Sequence, residues 1–294
     1  MHFPVLLREV SRLLAPGPGK VMLDATIGGG GHAREILEKI APGGRLIAVD
    51  RDPEAVKRAE GKLIDFKNEI ICVNDDFKNI GRILEENGIE GLDGALFDLG
   101  ISSYQVDDGQ RGFSFLHDGP LDMRYDNSQG STAGDAVNSL SRRELAEILK
   151  QYGEERYAAL IAGAIVTNRK KKRIQTTGEL RDIIIRAAGR RYRRQRIHPA
   201  ARTFQALRIY VNDELASVEE AVNKAVRCLR PRGRICVISF HSLEDRIVKN
   251  IFRDGAKTGI LTVLTKKPVI PERDEVLENP RSRSAKLRAA ERTE

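Results

Sequence analysis

Four acidic positions stand where a chain of alternating strands and helices presents groups to a ligand. Asp24 opens the run Asp24-Ala-Thr-Ile-Gly-Gly-Gly-Gly31-His32, Asp50 closes the next β-rich stretch, Asp75-Asp76-Phe77 follows the third, and Asp98 ends the fourth. Glycines in such a loop let the backbone turn sharply and approach a ligand closely. Gly28-x-Gly30-x-x-Ala33 satisfies the dinucleotide pattern, and Asp50 lies 22 residues beyond Gly28, suited to accepting from ribose hydroxyls. Two cofactor classes therefore compete. Asp24 weighs between them: a carboxylate at the lip of the loop repels a pyrophosphate but suits the ammonium and sulfonium charges of S-adenosylmethionine. The aromatic ring of Phe77 could cover an adenine face, and the same residues would equally form a core phenylalanine behind a helix N-cap.

Asp98, in Phe97-Asp98-Leu-Gly-Ile-Ser-Ser103, falls at the carboxyl edge where open α/β sheets bind their ligands. It is the leading candidate for a catalytic acceptor, with Ser102 and His241 behind it. His241 precedes Ser242-Leu-Glu-Asp245, which reads as a capping box opening a helix, so capping and proton transfer both remain open. No C-x-x-C or His-Glu-x-x-His spacing suggests a metal site, and none is expected. Cys72, Cys228 and Cys236 form an odd set beside apolar runs, as buried thiols of a reducing, cytoplasmic compartment do.

The elements that must position these groups alternate from Val21 to Asp98: strands at 21–26, 46–50, 70–73 and 95–99, with helices from His32, Pro53 and Lys78. The rhythm lapses for about a hundred residues into a Gly- and Asp-rich loop and a helical pattern over 141–189. It resumes with a helix over 216–229, a strand over 234–239, a helix from Ser242 and a β-like stretch over 260–265. Strands of one sheet share one core, so the expected architecture is a doubly wound, mostly parallel α/β domain, 1–106 with 213–294, interrupted by a mainly helical domain at 107–212.

The 294 residues are 40% hydrophobic and 31% charged, enough apolar material for a core and contrary to global disorder. No apolar run approaches the roughly 18 residues that span a bilayer, and the N-terminus lacks the basic start of a secretion signal. The net charge of +8 is unevenly placed. Residues 107–212 hold 20 basic against 12 acidic side chains and carry the entire surplus, while the remainder is neutral. Within that stretch, 169–208 holds 14 basic residues against Glu179 and Asp182. This density is an electrostatic footprint for phosphate, with tyrosines available for stacking, and makes the insertion the candidate RNA-binding, substrate-recognition part. On these features alone a methyltransferase, a nicotinamide oxidoreductase and a non-catalytic RNA-binding protein all stay in play.

Longer motifs discriminate further. His2-x-Pro4-Val-Leu-Leu-x-Glu9, Asp24-Ala-Thr-x-Gly28-x-Gly-Gly-His32, Asp98-Leu-Gly-x-Ser102-Ser-x-Gln105, Arg111-Gly-Phe-Ser-Phe115, Gly119-Pro-Leu-Asp-Met-Arg124, Arg196-Ile-His-Pro-Ala-x-Arg202-x-Phe-Gln-Ala-Leu-Arg208 and Ser239-Phe-His-Ser-Leu-Glu-Asp-Arg246 run nearly end to end. In these stretches the chain resembles the bacterial 16S rRNA cytosine-N4 methyltransferases, the MraW/RsmH family. The resemblance implies a class I, Rossmann-like methyltransferase fold with an inserted helical domain and S-adenosylmethionine as donor. It implies as partner the 16S rRNA or small ribosomal subunit, with neither membrane nor DNA expected, and as acceptor the exocyclic amine of cytosine 1402 in the conventional rRNA numbering. By motif matching it assigns donor contacts to Gly30, Gly31, His32, Asp50, Phe77, Asp98 and Gln105. One departure concerns the wider class of amine methyltransferases, which often carry Asp/Asn-Pro-Pro-aromatic after strand four where this chain reads Asp98-Leu-Gly-Ile.

Overall fold

A computed structural model describes residues 4–192 and 197–294. His2 and Arg196 of the motifs above, with Arg193 and Arg194 of the same basic stretch, lie outside the described residues. The chain runs through helix α1 (Leu7–Leu14), strand β1 (Val21–Asp24), α2 (Gly31–Ile40), β2 (Arg45–Asp50), α3 (Pro53–Lys62), β3 (Ile70–Asn74), α4 (Ile80–Glu86) and β4 (Leu92–Asp98). Helices α5 (Ser103–Asp107), α6 (Ala133–Ser139), α7 (Arg142–Gly153), α8 (Ala158–Arg169), α9 (Thr177–Tyr192) and α10 (Ala201–Asn212) follow. Then come α11 (Glu214–Cys228), β5 (Leu229–Ser239), α12 (Ser242–Lys257), β6 (Leu261–Val263), α13 (Arg273–Glu278) and β7 (Lys286–Arg292). None of the helices among the described residues is long and apolar enough to cross a membrane.

Two compact units divide the chain: Met1–Gly100 with Leu215–Glu294, and Ile101–Glu214. Residues 101–106, expected with the sheet, thus group with the helical unit. In the first unit all seven strands form one sheet in the order β3-β2-β1-β4-β5-β7-β6. Strands β3 to β5 are mutually parallel, β7 is antiparallel to β5, and β6 is antiparallel to β7. Both faces are covered, so neighbouring strand residues enter opposite apolar layers. Leu23, Ile47, Phe97 and Val237 pack with α4, α11 and α12 residues, and Met22, Leu46, Leu96 and Cys236 pack with those of α1 and α2. The strand order reverses between β1 and β4, which makes the crevice beyond their carboxyl ends the place for a ligand.

Local chemistry sets the helix starts. Asp52 accepts the Glu54 N–H ahead of Pro53 at the first position of α3, and Asp76 does the same for Lys78 ahead of a short 3₁₀ turn, Phe77–Asn79. At α12 the N-cap is His241 rather than Ser242, because Glu244, not Asp245, supplies the reciprocal side chain of the capping box.

Strand β7 was not anticipated, and its composition explains why: Lys286-Leu-Arg-Ala-Ala-Glu-Arg292 is too charged to read as an inner strand. The buried Arg288 is tolerated there because Asp245 of α12 takes both its Nε (2.6 Å) and Nη2 (3.3 Å). Strand β5 also starts five residues before the expected Arg234, since its pairing with β4 is interrupted by a bulge between Leu92 and Gly94.

In the helical unit the expected 141–189 pattern resolves into α7, α8 and most of α9. Leu145, Leu149, Ile161, Ile165, Leu180, Ile184, Phe204 and Leu207 build its core. Capping boxes from Thr132 with Asp135 and Ser141 with Glu144 open α6 and α7.

Candidate active site

The loop from β1 to α2 is shaped by where side chains cannot go. Gly30, at φ +77°, is the N-cap of α2 and has no side chain to satisfy the helix's first N–H groups. A Cβ on Gly31 would lie 2.4 Å from Cγ of Pro4, so only a bare backbone fits against the N-terminal segment. Thr26 ties this loop to the next strand end, its Oγ1 accepting the Asp98 N–H at 2.7 Å.

Around that loop three carboxylates end three adjacent strands. Asp50 of β2 is engaged at both oxygens, Oδ2 accepting the Gly28 N–H (3.0 Å) and Oδ1 the Asp52 N–H (2.9 Å). Burial nevertheless pushes its carboxyl up to about 6. Asp24 of β1 is 1% exposed; its Oδ1 accepts the Thr26 N–H at 3.1 Å, while Oδ2 is buried without a hydrogen-bond partner among the described residues. Burial, opposed by the Thr26 N–H and reinforced by the Asp50 charge, pushes Asp24 up to about 7. Asp98 of β4 has Oδ2 3.7 Å from Nε2 of the buried His32, and its Oδ1 also lacks a hydrogen-bond partner among the described residues. Burial first, then the charges of Asp24 and Glu244, raise it to about 8.

Sequence reasoning brought Gly30, Gly31, His32, Asp50 and Asp98 into this one cluster, with Asp24 as the recognised rim. Phe77 lies in the same unit, partly buried with its ring edge-on to Phe97 (centroids 5.9 Å apart), so it does behave as a core ring behind an N-cap. Gln105 belongs to the helical unit. It is buried there in the capping box of α5, its Oε1 accepting the Ser102 N–H (3.0 Å) while its own N–H donates to Ser102 Oγ (3.2 Å). Ser102, the second-rank candidate, is thereby occupied as an N-cap.

His241 caps α12: Nδ1 accepts the Glu244 N–H at 3.4 Å and Nε2 stands 3.1 Å from Glu244 Oε1. Glu244 itself was missed. It is 1% exposed, accepts from the Phe240 N–H (2.8 Å) and bears electrostatically on Asp98. The signal for it was its place three residues after the N-cap. In the helical unit the motif histidine His198 stacks on Phe115 at 4.5 Å and 10°, and its Nδ1 accepts the Ala200 N–H. Burial and the neighbouring Arg181 lower its pKa. The uncharged ring so favoured, with Nδ1 engaged, carries its proton on Nε2.

Taken together, the sheet unit offers buried acceptors lacking donors and strand-end carboxylates that resist ionisation because burial strips their water and neighbouring carboxylates add repulsion. A cation with hydrogen-bond donors relieves both conditions; an anion aggravates them.

Comparison with known proteins follows the same direction. The sequence profile described as the MraW methylase family matches residues 1–293. Ribosomal RNA small subunit methyltransferase H of Geobacter sulfurreducens is 51% identical over 99% of this chain and 98% of its own length, and that of Trichlorobacter lovleyi is 49% identical with the same coverage. The Persephonella marina protein of that name is 49% identical over 99% of both chains. Among solved structures, a Clostridium thermocellum protein provisionally assigned as an rRNA methylase superposes with TM-score 0.50 at 11% identity, covering 100% of this chain and 99% of that one. The fold is thus the Rossmann-like class I methyltransferase architecture.

Proposed function

The chain belongs to the MraW methylase family, and from that premise we propose that it methylates small-subunit ribosomal RNA with S-adenosylmethionine as donor, the acceptor being the exocyclic N4 of cytosine 1402. One observation carries the donor assignment: three strand-end carboxylates, Asp24 buried and Asp50 and Asp98 half-buried, stand around a glycine loop, and among the described residues Asp24 Oδ2 and Asp98 Oδ1 have no hydrogen-bond partner. The residues fit the donor. Gly30, Gly31 and His32 would line its methionine part, Asp50 its ribose hydroxyls and Phe77 its adenine. A dinucleotide would instead bring its pyrophosphate against Asp24 and Asp98, which disfavours the nicotinamide reading.

S-adenosylmethionine, when bound, supplies a sulfonium-activated methyl carbon. The chain's own residues must then improve a poor nucleophile, because the cytosine N4 lone pair is delocalised into the ring. Asp98 accepts an N4 N–H at its open Oδ1, drawing the nitrogen towards tetrahedral geometry and holding it in line. Orientation of this kind contributes about 7–11 kcal/mol in well-aligned reactions. In the ionised form that a cationic donor selects, Asp98 is the base placed to take the departing proton. Reaching a base amine requires an unpaired or extruded nucleotide, and the positive insertion supplies the phosphate attraction that grips the strand.

The test is to incubate the protein with labelled donor and small ribosomal subunits lacking the modification, then map the labelled nucleotide. Label on N4 of that cytosine is expected. Label elsewhere overturns the acceptor assignment, and no transfer overturns the activity.

A further inference from the structure

Within the helical unit, the turn after α8 and one face of α9 enclose a cleft of about 240 Å³. Its floor is the buried pair Ile174 and Ile183. Glu179, Asp182, Ile183 and Arg186 recur at positions i, i+3, i+4 and i+7, so they share the α9 face. Lys171, Lys172 and Arg173 line the opposite side.

The two carboxylates in the lining are outnumbered by its four cations, and each accepts from a basic side chain, Asp182 at one oxygen. Glu179 accepts from Lys172 Nζ (2.6 Å) and from the N–H groups of Gln175 (2.8 Å) and Thr176 (3.4 Å), and Asp182 accepts from Arg181 Nε (2.9 Å). These donors hold Glu179 below the usual carboxylate range, so it stays charged and keeps Lys172 in place. Arg173 is fixed in the same way by Asp135 at 2.9 Å. Lys171 and Arg186 are exposed and make no ion pair among the described residues. Two ion-paired cations of the turn, two uncommitted ones, of which Arg186 stands on α9, and an apolar floor converge on one cleft, which an ordinary solvated charge run does not do.

We propose that this cleft binds a backbone phosphate of the RNA substrate, with Lys171 and Arg186 making the direct contacts and Lys172 and Arg173 framing them. The proposal rests on the RNA-methylating reading above, and it concerns a site separate from the arginine run beginning at Arg190.

The experiment measures binding of an RNA fragment of the small-subunit decoding region as a function of salt, for the full chain and for the double variant Lys171→Glu with Arg186→Glu. Each phosphate that is no longer neutralised lowers the slope of log affinity against log salt by about 0.7–0.9. The variant should therefore lose more than tenfold in affinity at moderate salt and about 0.7–0.9 of slope, with S-adenosylmethionine affinity and thermal unfolding unchanged. The pair Arg143→Glu with Lys150→Glu makes the same charge change on α7. If it weakens RNA as much, only the general field matters and the cleft assignment falls. It falls equally if the first variant binds RNA as the parent does, or if the variant unfolds while Lys171→Gln with Arg186→Gln, being folded, binds normally. Absence of methyl transfer by the parent, with cleft-dependent RNA binding intact, would overturn the activity and leave the cleft standing.

Discussion

Asp24 and Asp98 make the residue-level argument quantitative. Each resists ionisation, at about 7 and about 8, because water is excluded and other carboxylates are near. A cationic ligand selects the ionised forms, so donor binding must release protons, and affinity must rise with pH between about 6 and 9, by up to about tenfold per unit for each proton released. Calorimetry in buffers of different ionisation enthalpy should show that release, larger for S-adenosylmethionine than for S-adenosylhomocysteine, which lacks the sulfonium charge. A pH-independent affinity would remove the acidic rim from recognition. The same shift has the opposite sign for folding. In the unfolded chain Asp24 ionises near its ordinary 3.8, so its ionisation favours unfolding progressively from about pH 4 to about pH 7. Asp24→Asn should therefore leave stability unchanged at pH 4 and raise that of the ligand-free protein at pH 8, by at most about 4 kcal/mol at ~1.4 kcal/mol per unit, read as the midpoint of chemical denaturation. Asp98→Asn should behave differently in turnover. It keeps the shape but cannot take a proton, and single-turnover methylation should fall about 10²–10⁴-fold; a rate near that of the parent would remove Asp98 from the chemistry.

At the scale of elements, the glycine loop works because α2 starts against Pro4 with no room for a methyl group. Gly31→Ala forces a 2.4 Å contact to open, and overpacking of this kind costs about 1–3 kcal/mol. Denaturant titration should show that loss together with weakened donor binding, since the displaced loop carries Gly28 and Gly30. These elements were legible because strand–glycine–helix punctuation is local: β1 to β4 and their helices fall within a few residues of the sequence pattern. Strand β7 was hidden because its sheet position depends on Arg288 finding Asp245, a partner 43 residues away that no local periodicity reveals. His241 was legible as a choice between capping and chemistry, and its pairing with Glu244 accounts for the capping half through a bond three residues long.

Over the whole molecule, charge and chemistry are divided between the two units. The acidic strand ends belong to the sheet unit, and most of the chain's net positive charge, +6 of +8, belongs to the helical unit. That division was visible in composition, because a surplus confined to one segment survives any folding of it. The boundary at Gly100 and Ile101 was not, because Asp98-Leu-Gly-Ile-Ser-Ser103 reads as one continuous loop and only the tertiary packing separates its halves. The placement of charge has a consequence for binding. Attraction to a phosphate backbone acts through released counterions and is sequence-independent, so on the proposed reading cations of the insertion would set affinity while strand-end carboxylates would set what happens to the bound base. Arg191 already has its guanidinium 5.8 Å over the Tyr157 ring, which anchors the start of the arginine run. Replacing Arg190, Arg191, Arg193 and Arg194 by Gln should lower RNA affinity at every sequence tested and reduce the salt slope by about 0.7–0.9 for each phosphate left without its cation. Donor affinity should not change, since the carboxylates proposed to hold the donor are untouched. An unchanged slope in filter binding would mean that the run serves the insertion's own folding, and the phosphate-binding cations would have to be sought on its other faces.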